Sequence, residues 1–485
     1  MAAVPKLEAG QLEERGAAYD LRLLKWVWSF VRPYRRLFWL SVVLMPLNSA
    51  FTLTQPYIVK LTIDLFLASR RIAPPRWLSP VLAASHGHGL VAMGLLYAAL
   101  LAGEFATFYG QFYLTMMVAQ YSLAELRTAQ FSYIERLPMS FFDRTPVGRL
   151  VSRMTTDVDA INDMFAAGSL TIFIDLLTVV GIIAIMFSMS PRLALWALCS
   201  IPPLFLIIRF FSVRARIVYR EIRDRLAALN AYLSEAVSGM AVIQLFTRER
   251  LSCQEFDLLN RKSRDAQMRS NIYDAGMFAS VGAVSSITVA LILWAGGGSV
   301  VHRMVTLGTL VAFIDYARMF FNPLREASGK YTAMQSALAS ADRIYALMSE
   351  PLTIASPPVP TRIANGRGRI VFEQVSFAYR PGEPVLKDLS FTVEPGQKVA
   401  IVGATGSGKT TVIKLLNRFY DVSSGRILVD GVDVREWDLA ELRRTIGLVQ
   451  QDVFLFAGGI IENIRLGRTE LGEREVREAL ARAQA

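Results

Sequence analysis

Apolar runs long enough to cross a lipid bilayer are the feature that most limits how this 485-residue chain can fold. A spanning helix needs about 20 largely apolar residues, and the runs from Leu37 to Val59 and from Ala275 to Val301 contain no charged residue. Four further runs are nearly as apolar. The sequence therefore predicts an α-helical polytopic membrane domain with six spans, at residues 37–59, 89–118, 165–190, 193–211, 275–301 and 305–324.

Composition agrees with this prediction but does not establish it. Apolar residues make up 53% of the chain and charged residues 19%, proportions that a soluble protein with a large core could also reach. Residues 1–20 contain acids and no early apolar core, so we do not expect a cleavable signal peptide. The segment 21–33, LRLLKWVWSFVRP, mixes aromatic and basic side chains, which favours a helix lying in the membrane interface.

Basic residues are distributed unequally between the two sides of the spans. The stretch before the first span holds seven Lys and Arg, residues 119–164 hold five and residues 212–270 hold eleven, whereas the three opposite segments hold six together. Cytoplasmic loops of membrane proteins carry such an excess. We therefore expect a multi-pass integral membrane protein, of the cell or inner membrane if bacterial, with its N-terminus and C-terminal part in the cytoplasm. The same distribution explains the net charge of +11 without a nucleic-acid partner.

The two long cytoplasmic segments have the pattern of helices rather than of loops. The sequences SLAELRTAQFSYIERL and REIRDRLAALNAYLSEAVSGMAVIQLF place apolar residues three and four positions apart. This spacing predicts helices that continue the spans tens of ångströms into the cytoplasm. Each hairpin is expected to turn at a segment rich in helix breakers, LPMSFFDRTPVG at 137–148 and SGM at 238–240.

Charged residues inside spans are costly and are functional candidates for that reason. Counting about 1.5 Å per residue from the outer end of each span places four of them near the middle of the membrane: Glu104, Asp175, Asp315 and Arg318. One interpretation is that they line a polar substrate cavity. The other is that they pair internally and fix helix packing, as Asp315 and Arg318 could do three residues apart on one helix face.

A change in sequence texture marks a second domain. Residues 351–368 contain four prolines and two glycines, which is typical of a linker. From Arg369 onwards short β-branched runs appear, IVFEQVSFAY, LSFTV and KVAIVG, and the helical pattern KTTVIKLLNRFY follows the last of them. We therefore divide the chain into a membrane domain at 1–350, a linker at 351–368 and part of an α/β P-loop NTPase domain at 369–485.

The stretch VGATGSGKTT at 402–411 matches the pattern G-x-x-x-x-G-K-[ST] of a phosphate-binding loop. Its glycines let backbone amides approach phosphates, its lysine can reach the terminal phosphates, and the hydroxyl of Thr410 can hold Mg²⁺. The helix that follows directs its positive N-terminus at the same anion. We therefore expect ATP and Mg²⁺ to bind at Gly403, Ala404, Thr405, Gly406, Ser407, Gly408, Lys409, Thr410 and Thr411.

The cysteines and histidines of the chain do not form a set of metal ligands. Cys199 lies in an apolar run and Cys253 in a polar one, which predicts neither a disulfide framework nor a thiolate metal site. His86, His88 and His302 lack further ligands nearby, so we interpret them as loop residues.

These residues together resemble the ATP-binding cassette exporters, as a half-transporter whose membrane domain precedes its nucleotide-binding domain. Tyr379 in VSFAYR matches the aromatic residue on which this family stacks adenine, and IGLVQQDVFLFAGGIIENI matches its glutamine-loop region. The resemblance places the magnesium- and water-contacting glutamine at Gln451, with Gln450 as the alternative register. It also implies that the tips of the two cytoplasmic hairpins are short coupling helices that dock on ATPase domains.

The resemblance implies ATP-driven export by a dimer of two such halves, with a lipid, a drug or another amphipathic compound as substrate. The stretch ARMFFNPLREAS is more similar to halves that work as heterodimers than to those that form homodimers. Nothing among the 34 residues after Gln451 resembles the signature motif, the acidic magnesium-binding strand or the switch histidine. We therefore expect a fragment that binds nucleotide but does not hydrolyse it alone; the alternative is a catalytically silent regulatory subunit.

Overall fold

Long helices dominate the first 348 residues of the computed structural model, which describes residues 21–67, 75, 78–80, 88–166, 171–302, 304–361, 366–451, 453–468 and 470–484. His86 and the acidic N-terminal segment 1–20 lie outside the described residues. The chain divides into two units. One comprises residues up to 135 and 147–350, and the other comprises residues 136–146 and 351–485.

The helices of the first unit carry the apolar runs predicted as spans. Their bounds are α1 Leu21–Val31, α2 Arg35–Thr62, α3 Gly89–Ile134, α5 Val147–Met154, α6 Thr156–Ala166, α7 Ile172–Met189, α8 Pro191–Leu198, α9 Ile201–Ser238, α11 Glu249–Val301 and α12 Leu307–Met348. Two short helices stand at the hairpin tips, α4 Met139–Phe142, which belongs to the second unit, and α10 Met240–Leu245.

Helix length and apolar composition support a polytopic membrane domain. In the described part of the chain, four helical stretches are long and apolar enough to cross a bilayer: Arg22–Leu67, Gly89–Ile134, Pro191–Ser238 and Glu249–Val301. Ile174–Met189 is a shorter apolar helix. The fold class is thus confirmed, whereas the number of six spans stays a prediction.

The predicted continuation of the spans as long helices is confirmed. Helix α3 runs unbroken for 46 residues from an apolar run into a polar one, and α11 runs unbroken for 53 residues from a polar run into an apolar one. The fourth predicted span, at 193–211, lies within the apolar stretch Pro191–Ser238, in which a turn at Cys199 and Ser200 separates α8 from α9. Pro202 and Pro203 open α9, and a proline ring fits the first helical turn but not a continuing helix.

A core of aromatic and aliphatic side chains holds the last helices of this unit together. Phe313, Tyr316 and Phe321 of α12 are among its fully buried members and pack with Leu193 and Ile292. The Tyr316 hydroxyl donates a hydrogen bond of 2.7 Å to the carbonyl of Leu53, which attaches α12 to the first predicted span.

The second unit contains a small antiparallel sheet. Its strands are β1 Ile370–Ala378, β2 Pro384–Val393, β3 Ser424–Val429 and β4 Val432–Asp433, in the order β2-β1-β3-β4. Helices α13 Lys409–Leu416, α14 Leu439–Thr445, α15 Ile460–Arg465 and α16 Glu473–Ala483 follow or interrupt them. Phe372, Val375, Ile427 and Leu415 form the buried centre between the sheet and α13.

The segment KVAIVG at 398–403, predicted as a strand, is not one. A strand needs a hydrogen-bonded neighbour, because unpaired backbone groups gain nothing from extended geometry. No described strand pairs with this segment, and its apolar side chains are exposed, including Val402 at 86%. The element before the phosphate loop is therefore an irregular segment here.

Candidate functional site

Left-handed glycines shape the loop at 403–408. Gly406 has φ of +86° and Gly408 has φ of +91°, a region that costs residues with a β-carbon about 1–2 kcal/mol. Gly408 is also the N-cap of α13. A β-carbon there would lie 2.8 Å from Leu386 Cδ2 and 3.2 Å from Val385 Cγ1 of β2. The loop can therefore lie directly against β2 only with glycine at this position.

Lys409 holds its ammonium group across this loop. Its Nζ donates hydrogen bonds of 2.9 Å to the carbonyl oxygens of both Gly403 and Ala404. A β-carbon on Gly403 would approach Ser407 Oγ to 2.6 Å, so the loop closes tightly on itself. This concave glycine-lined backbone next to a lysine and a helix N-terminus is the arrangement that suits a phosphate group.

Tyr379 lies beside the first turn of the helix that Lys409 opens. The hydroxyl oxygens of Tyr379 and Thr411 are 3.2 Å apart. The Tyr379 ring stands perpendicular to that of Tyr420, with centroids 5.2 Å apart, and 42% of the residue is exposed. The predicted adenine-stacking residue and the predicted phosphate loop are thus joined by a contact, with part of the ring free for a ligand.

The other predicted loop residues are open to a ligand. Thr405, Ser407 and Thr410 are all exposed, as a hydroxyl that would contact a phosphate or Mg²⁺ must be. Within the described residues, no group of three or more His, Cys, Asp or Glu is arranged to hold a metal ion. The chain's fit to Mg²⁺ at this site therefore rests on the Thr410 hydroxyl and on nucleotide phosphates.

Gln451 is exposed and belongs to a stretch without helix or strand. Among the described residues, no hydrogen bond joins Gln451 or Gln450 to the phosphate loop. Val449 and Phe454 on either side are 97% and 75% exposed. The two registers of the glutamine loop therefore both stay predictions.

A cavity of about 590 Å³ opens next to Tyr379, and its described lining contains no residue of 403–410. Its described lining includes Asp143 and Arg144 of the 136–146 segment together with Lys414, Tyr420 and Asp421. The Tyr420 hydroxyl donates a hydrogen bond to the Asp143 carboxylate. Burial is the main cause that raises the pKa of Tyr420, and the bond to Asp143 raises it further.

Sequence reasoning did not single out Asp143, Lys414 or Tyr420. Asp143 lies within LPMSFFDRTPVG, for which the sequence predicts a docking tip. The sequence pattern assigns no contact partner to any residue in this segment. Lys414 Nζ stands 5.8 Å and 5.9 Å from the ring centroids of Tyr379 and Tyr420. The only sequence signal for Tyr420 is its position, because it is an aromatic residue about one helical turn beyond the end of α13.

The charged residues of the predicted spans have different surroundings. The Glu104 carboxylate accepts hydrogen bonds from Thr52 Oγ1 at 2.8 Å and Gln55 Nε2 at 2.5 Å. Asp175 lies in the first turn of α7, and its Oδ2 is 2.6 Å from Lys330 Nζ. Asp175 is therefore paired, and its depth in the membrane stays a prediction.

Internal pairing of Asp315 with Arg318 was one of the two interpretations of these residues. In the described part of the chain no hydrogen bond or ion pair joins the two side chains, and Arg318 is exposed whereas Asp315 is half-buried. An exposed arginine gains little from a single ion pair, so spacing alone did not bring them together.

Comparison with known families assigns the chain. The family described as ABC transporter transmembrane region matches residues 38–324, and the family described as ABC transporter matches residues 386–485. The chain belongs to the ABC transporter family. The two matches follow each other in the order of an ABC half-transporter, with the membrane region ahead of the ATP-binding region.

Relatives of this ABC protein extend over nearly the whole chain. An uncharacterised ABC transporter ATP-binding protein of Bacillus subtilis is 31% identical over 99% of this chain and 78% of its own length. A fatty acid ABC transporter ATP-binding/permease protein of Mycobacterium tuberculosis is 39% identical over 75% of this chain and 57% of its own length. A candidate multidrug export ATP-binding/permease protein of B. subtilis is 30% identical over 96% and 78%.

The ABC chain thus spans between 57% and 78% of the length of these three relatives. All three are described as ATP-binding proteins of transporters and two of them as permeases as well, which is the description of a transporter ATPase. They support ATP-driven export and do not favour a silent regulatory subunit.

Proposed function

We propose that this chain is one half of a dimeric ABC exporter that uses ATP to move an amphipathic compound across a membrane. The observation that carries the proposal is the hydrogen bond between Tyr420 and Asp143. Asp143 belongs to the turn between two helices of the membrane domain, and Tyr420 lies four residues beyond the helix that Lys409 opens. The turn that follows α3 and precedes α5 is therefore bonded to the segment that follows the phosphate-loop helix.

The phosphate loop and Tyr379 are the parts that would hold the nucleotide. Backbone amides of 403–410 and the Lys409 ammonium would neutralise the phosphates, Thr410 would supply a hydroxyl ligand to Mg²⁺, and the exposed ring of Tyr379 would stack on the adenine. Gln451 would orient Mg²⁺ and water. When bound, Mg²⁺ supplies charge neutralisation at the terminal phosphates.

The second hairpin tip supports a dimer. Helix α10 presents large apolar side chains to solvent, with Val242 58% and Leu245 78% exposed. Apolar surface of this kind marks an interaction site. We assign α10 to contact with the nucleotide-binding domain of the partner half, and the partner is a second half-transporter, with a heterodimer favoured by the sequence.

The substrate class follows from the membrane domain and the relatives. Two of the three relatives are named for fatty acids and for multidrug export, and both names denote compounds with apolar parts. We therefore propose a lipid, a drug or another amphipathic molecule as the transported compound. The membrane domain would be multi-pass, with the N-terminus and nucleotide-binding domain in the cytoplasm.

Nucleotide binding is tested by photolabelling the membrane-embedded chain with an azido-ATP analogue. Lys409→Ala should reduce labelling at least tenfold, because charge-assisted phosphate contacts contribute about 1.5–3 kcal/mol each. Lys387→Ala is the matched control, since Lys387 is an exposed lysine of β2 outside the loop. Equal labelling of the two variants would remove the nucleotide site from the proposal.

Docking of α10 is tested by a cysteine at Met240, placed in a protein without its two exposed free cysteines. It should crosslink to a nucleotide-binding domain in trans. A Met240→Cys protein that reacts freely with a bulky polar maleimide in every nucleotide state would contradict the assignment.

A further inference from the structure

A second cavity lies at the far end of the membrane domain from the hairpin tips. It has a volume of about 330 Å³ and opens between the short helix α8 and the C-terminal end of α11. Helix α11 has 53 residues, so this end lies about 80 Å along the helix from its start beside α10. Because the last predicted apolar run of α11 ends at Val301, the cavity lies where that span leaves the membrane.

The cavity combines basic and aromatic side chains. Its described lining contains Arg192 and His302 and no acidic residue. Trp196 and Trp294 form an edge-to-face pair across it, with ring centroids 6.0 Å apart, and Trp294 is 72% exposed. Tryptophan at this depth is typical of the boundary between acyl chains and head groups.

Glycine creates the space in this cavity. A β-carbon on Gly298, which lines it, would meet no atom within 4 Å. Two residues earlier, a β-carbon on Gly296 would lie 2.4 Å from Leu310 Cδ1. In the run of three glycines, Gly296 therefore packs closely against α12, whereas Gly298 leaves an opening.

Charge decides which ligand suits this opening. No Asp or Glu in the described part of the chain pairs with Arg192 or His302, so the basic groups are available to an external anion. A guanidinium binds phosphate through two parallel hydrogen bonds, and the exposed indole of Trp294 offers apolar contact to an acyl chain. An amphipathic anion satisfies both halves of the site, whereas a cation or an uncharged sugar does not.

We propose that this cavity binds the phosphodiester head group of an anionic phospholipid from the leaflet at the C-terminal end of α11. Arg192 holds the phosphate with support from His302, and the acyl chains lie along Trp196 and Trp294. The site is separate from the nucleotide site and does not depend on the transported compound.

The test uses the full chain in lipid nanodiscs and the quenching of tryptophan fluorescence by phospholipids with brominated acyl chains. Brominated phosphatidylglycerol should quench more strongly than brominated phosphatidylcholine at the same mole fraction. A Trp294→Phe variant should lose most of this difference. This loss would identify Trp294 as the tryptophan whose fluorescence the bound lipid quenches.

Two variants localise the head group. Arg192→Gln should lower the preference for phosphatidylglycerol about tenfold, as expected for one lost charged hydrogen bond. Gly298→Leu should abolish it by filling the opening, whereas Gly297→Leu, which also meets no atom within 4 Å but lies outside the described lining, should leave it unchanged. A thermal unfolding midpoint shows whether either leucine variant is misfolded, and Arg192→Gln tests the site independently of that result.

The proposal would be overturned if Arg192→Gln kept the preference for phosphatidylglycerol. It would also be overturned if brominated phosphatidylglycerol quenched Gly298→Leu and Gly297→Leu equally. Soluble glycerol phosphate in excess distinguishes a lipid site from a site for free anions. It should not displace the brominated phosphatidylglycerol, and displacement would overturn the assignment to lipid.

Discussion

The phenol of Tyr420 donates a hydrogen bond to the carboxylate of Asp143. The two residues are 277 positions apart in sequence, yet both belong to the unit that contains the phosphate loop. The turn at 136–146 is continuous with α3 on one side and α5 on the other. This bond therefore holds the 136–146 turn within the unit that contains the phosphate loop.

Tyr420→Phe should loosen the 136–146 turn without affecting nucleotide labelling. Loss of one hydrogen bond to a charged group costs about 1.5–3 kcal/mol, so cleavage by trypsin after Arg144 should become about tenfold faster or more. Tyr331→Phe, at an exposed tyrosine of α12, is the control for the loss of a hydroxyl. Unchanged cleavage in Tyr420→Phe would show that the bond does not hold the turn.

The same contact has a defined pH dependence. The pKa of Tyr420 is raised, first by burial and then by Asp143, which means that folding favours the protonated phenol. Its stabilising contribution is complete below the ordinary tyrosine pKa of about 10 and is lost only as the pH rises through the higher folded-state value. Trypsin cleavage after Arg144, normalised to an unstructured substrate, should therefore be constant from about pH 7 to about pH 9. An increase within that range would contradict this reasoning.

The phosphate loop should be more sensitive at Gly408 than at Gly406. Both have positive φ, so alanine costs each about 1–2 kcal/mol of backbone strain. Only at Gly408 would the new β-carbon also collide with Leu386 and Val385, which adds about 1–3 kcal/mol. The temperature at which azido-ATP labelling is half lost should fall further for Gly408→Ala than for Gly406→Ala. Equal shifts would mean that the close approach to β2 is not important.

Much of this arrangement follows from local sequence, and the rest does not. The unbroken helices over 89–134 and 249–301 were predictable because apolar spacing continues across the change from apolar to polar composition. The left-handed glycines follow from the phosphate-loop motif. In contrast, the Asp143–Tyr420 bond and the Asp175–Lys330 pair join residues more than 150 positions apart, and no local pattern encodes such contacts.

One local prediction was wrong for a physical reason. The β-branched run 398–403 has the composition of a strand, but strand formation depends on a partner that periodicity does not reveal. The turn between α8 and α9 is a feature that hydropathy does not show, and the Pro202–Pro203 pair that follows it fits the start of a new helix.

The ion pair between Asp157 of α6 and Arg343 of α12 should stabilise the membrane domain more than the exposed pair between Asp159 and Arg127 does. Asp157 is buried, and its carboxylate accepts hydrogen bonds from Arg343 Nε at 3.1 Å and Nη2 at 2.5 Å. Asp157→Asn should lower the free energy of unfolding by about 1–2 kcal/mol, since the half-exposed arginine is partly screened. Asp159 lies on the same helix as Asp157 and is the exposed partner of Arg127. Asp159→Asn should therefore lower the free energy of unfolding by less than about 0.5 kcal/mol. Thermal unfolding midpoints in one detergent would compare them, and equal midpoints would contradict the prediction.

The start of α12 depends on a carboxylate from the end of the first predicted span. Asp64 is 2% exposed, and it accepts hydrogen bonds from Thr306 Oγ1 at 2.7 Å and from the amide of Gly308 at 2.9 Å. The helix begins there because Thr306 in turn accepts a bond from the amide of Thr309. Gly308 has no room for a side chain, since a β-carbon would lie 2.3 Å from the carbonyl oxygen of Lys60.

Asp64→Ala should therefore leave the buried Gly308 amide without an acceptor and remove a carboxylate from the first turn of the helix, at a cost of about 2–3 kcal/mol. Asp64→Asn keeps one acceptor oxygen and should cost less. The control is Asp224→Ala, at an exposed aspartate of α9, where a change within about 0.5 kcal/mol is expected. Amide hydrogen exchange at residues 307–310 should accelerate in Asp64→Ala and stay unchanged in the control, because only the first removes the acceptor that protects this turn. If exchange there is equal in the two variants, the first turn of α12 is held by the apolar packing of Leu310 and Phe313 instead of by the carboxylate.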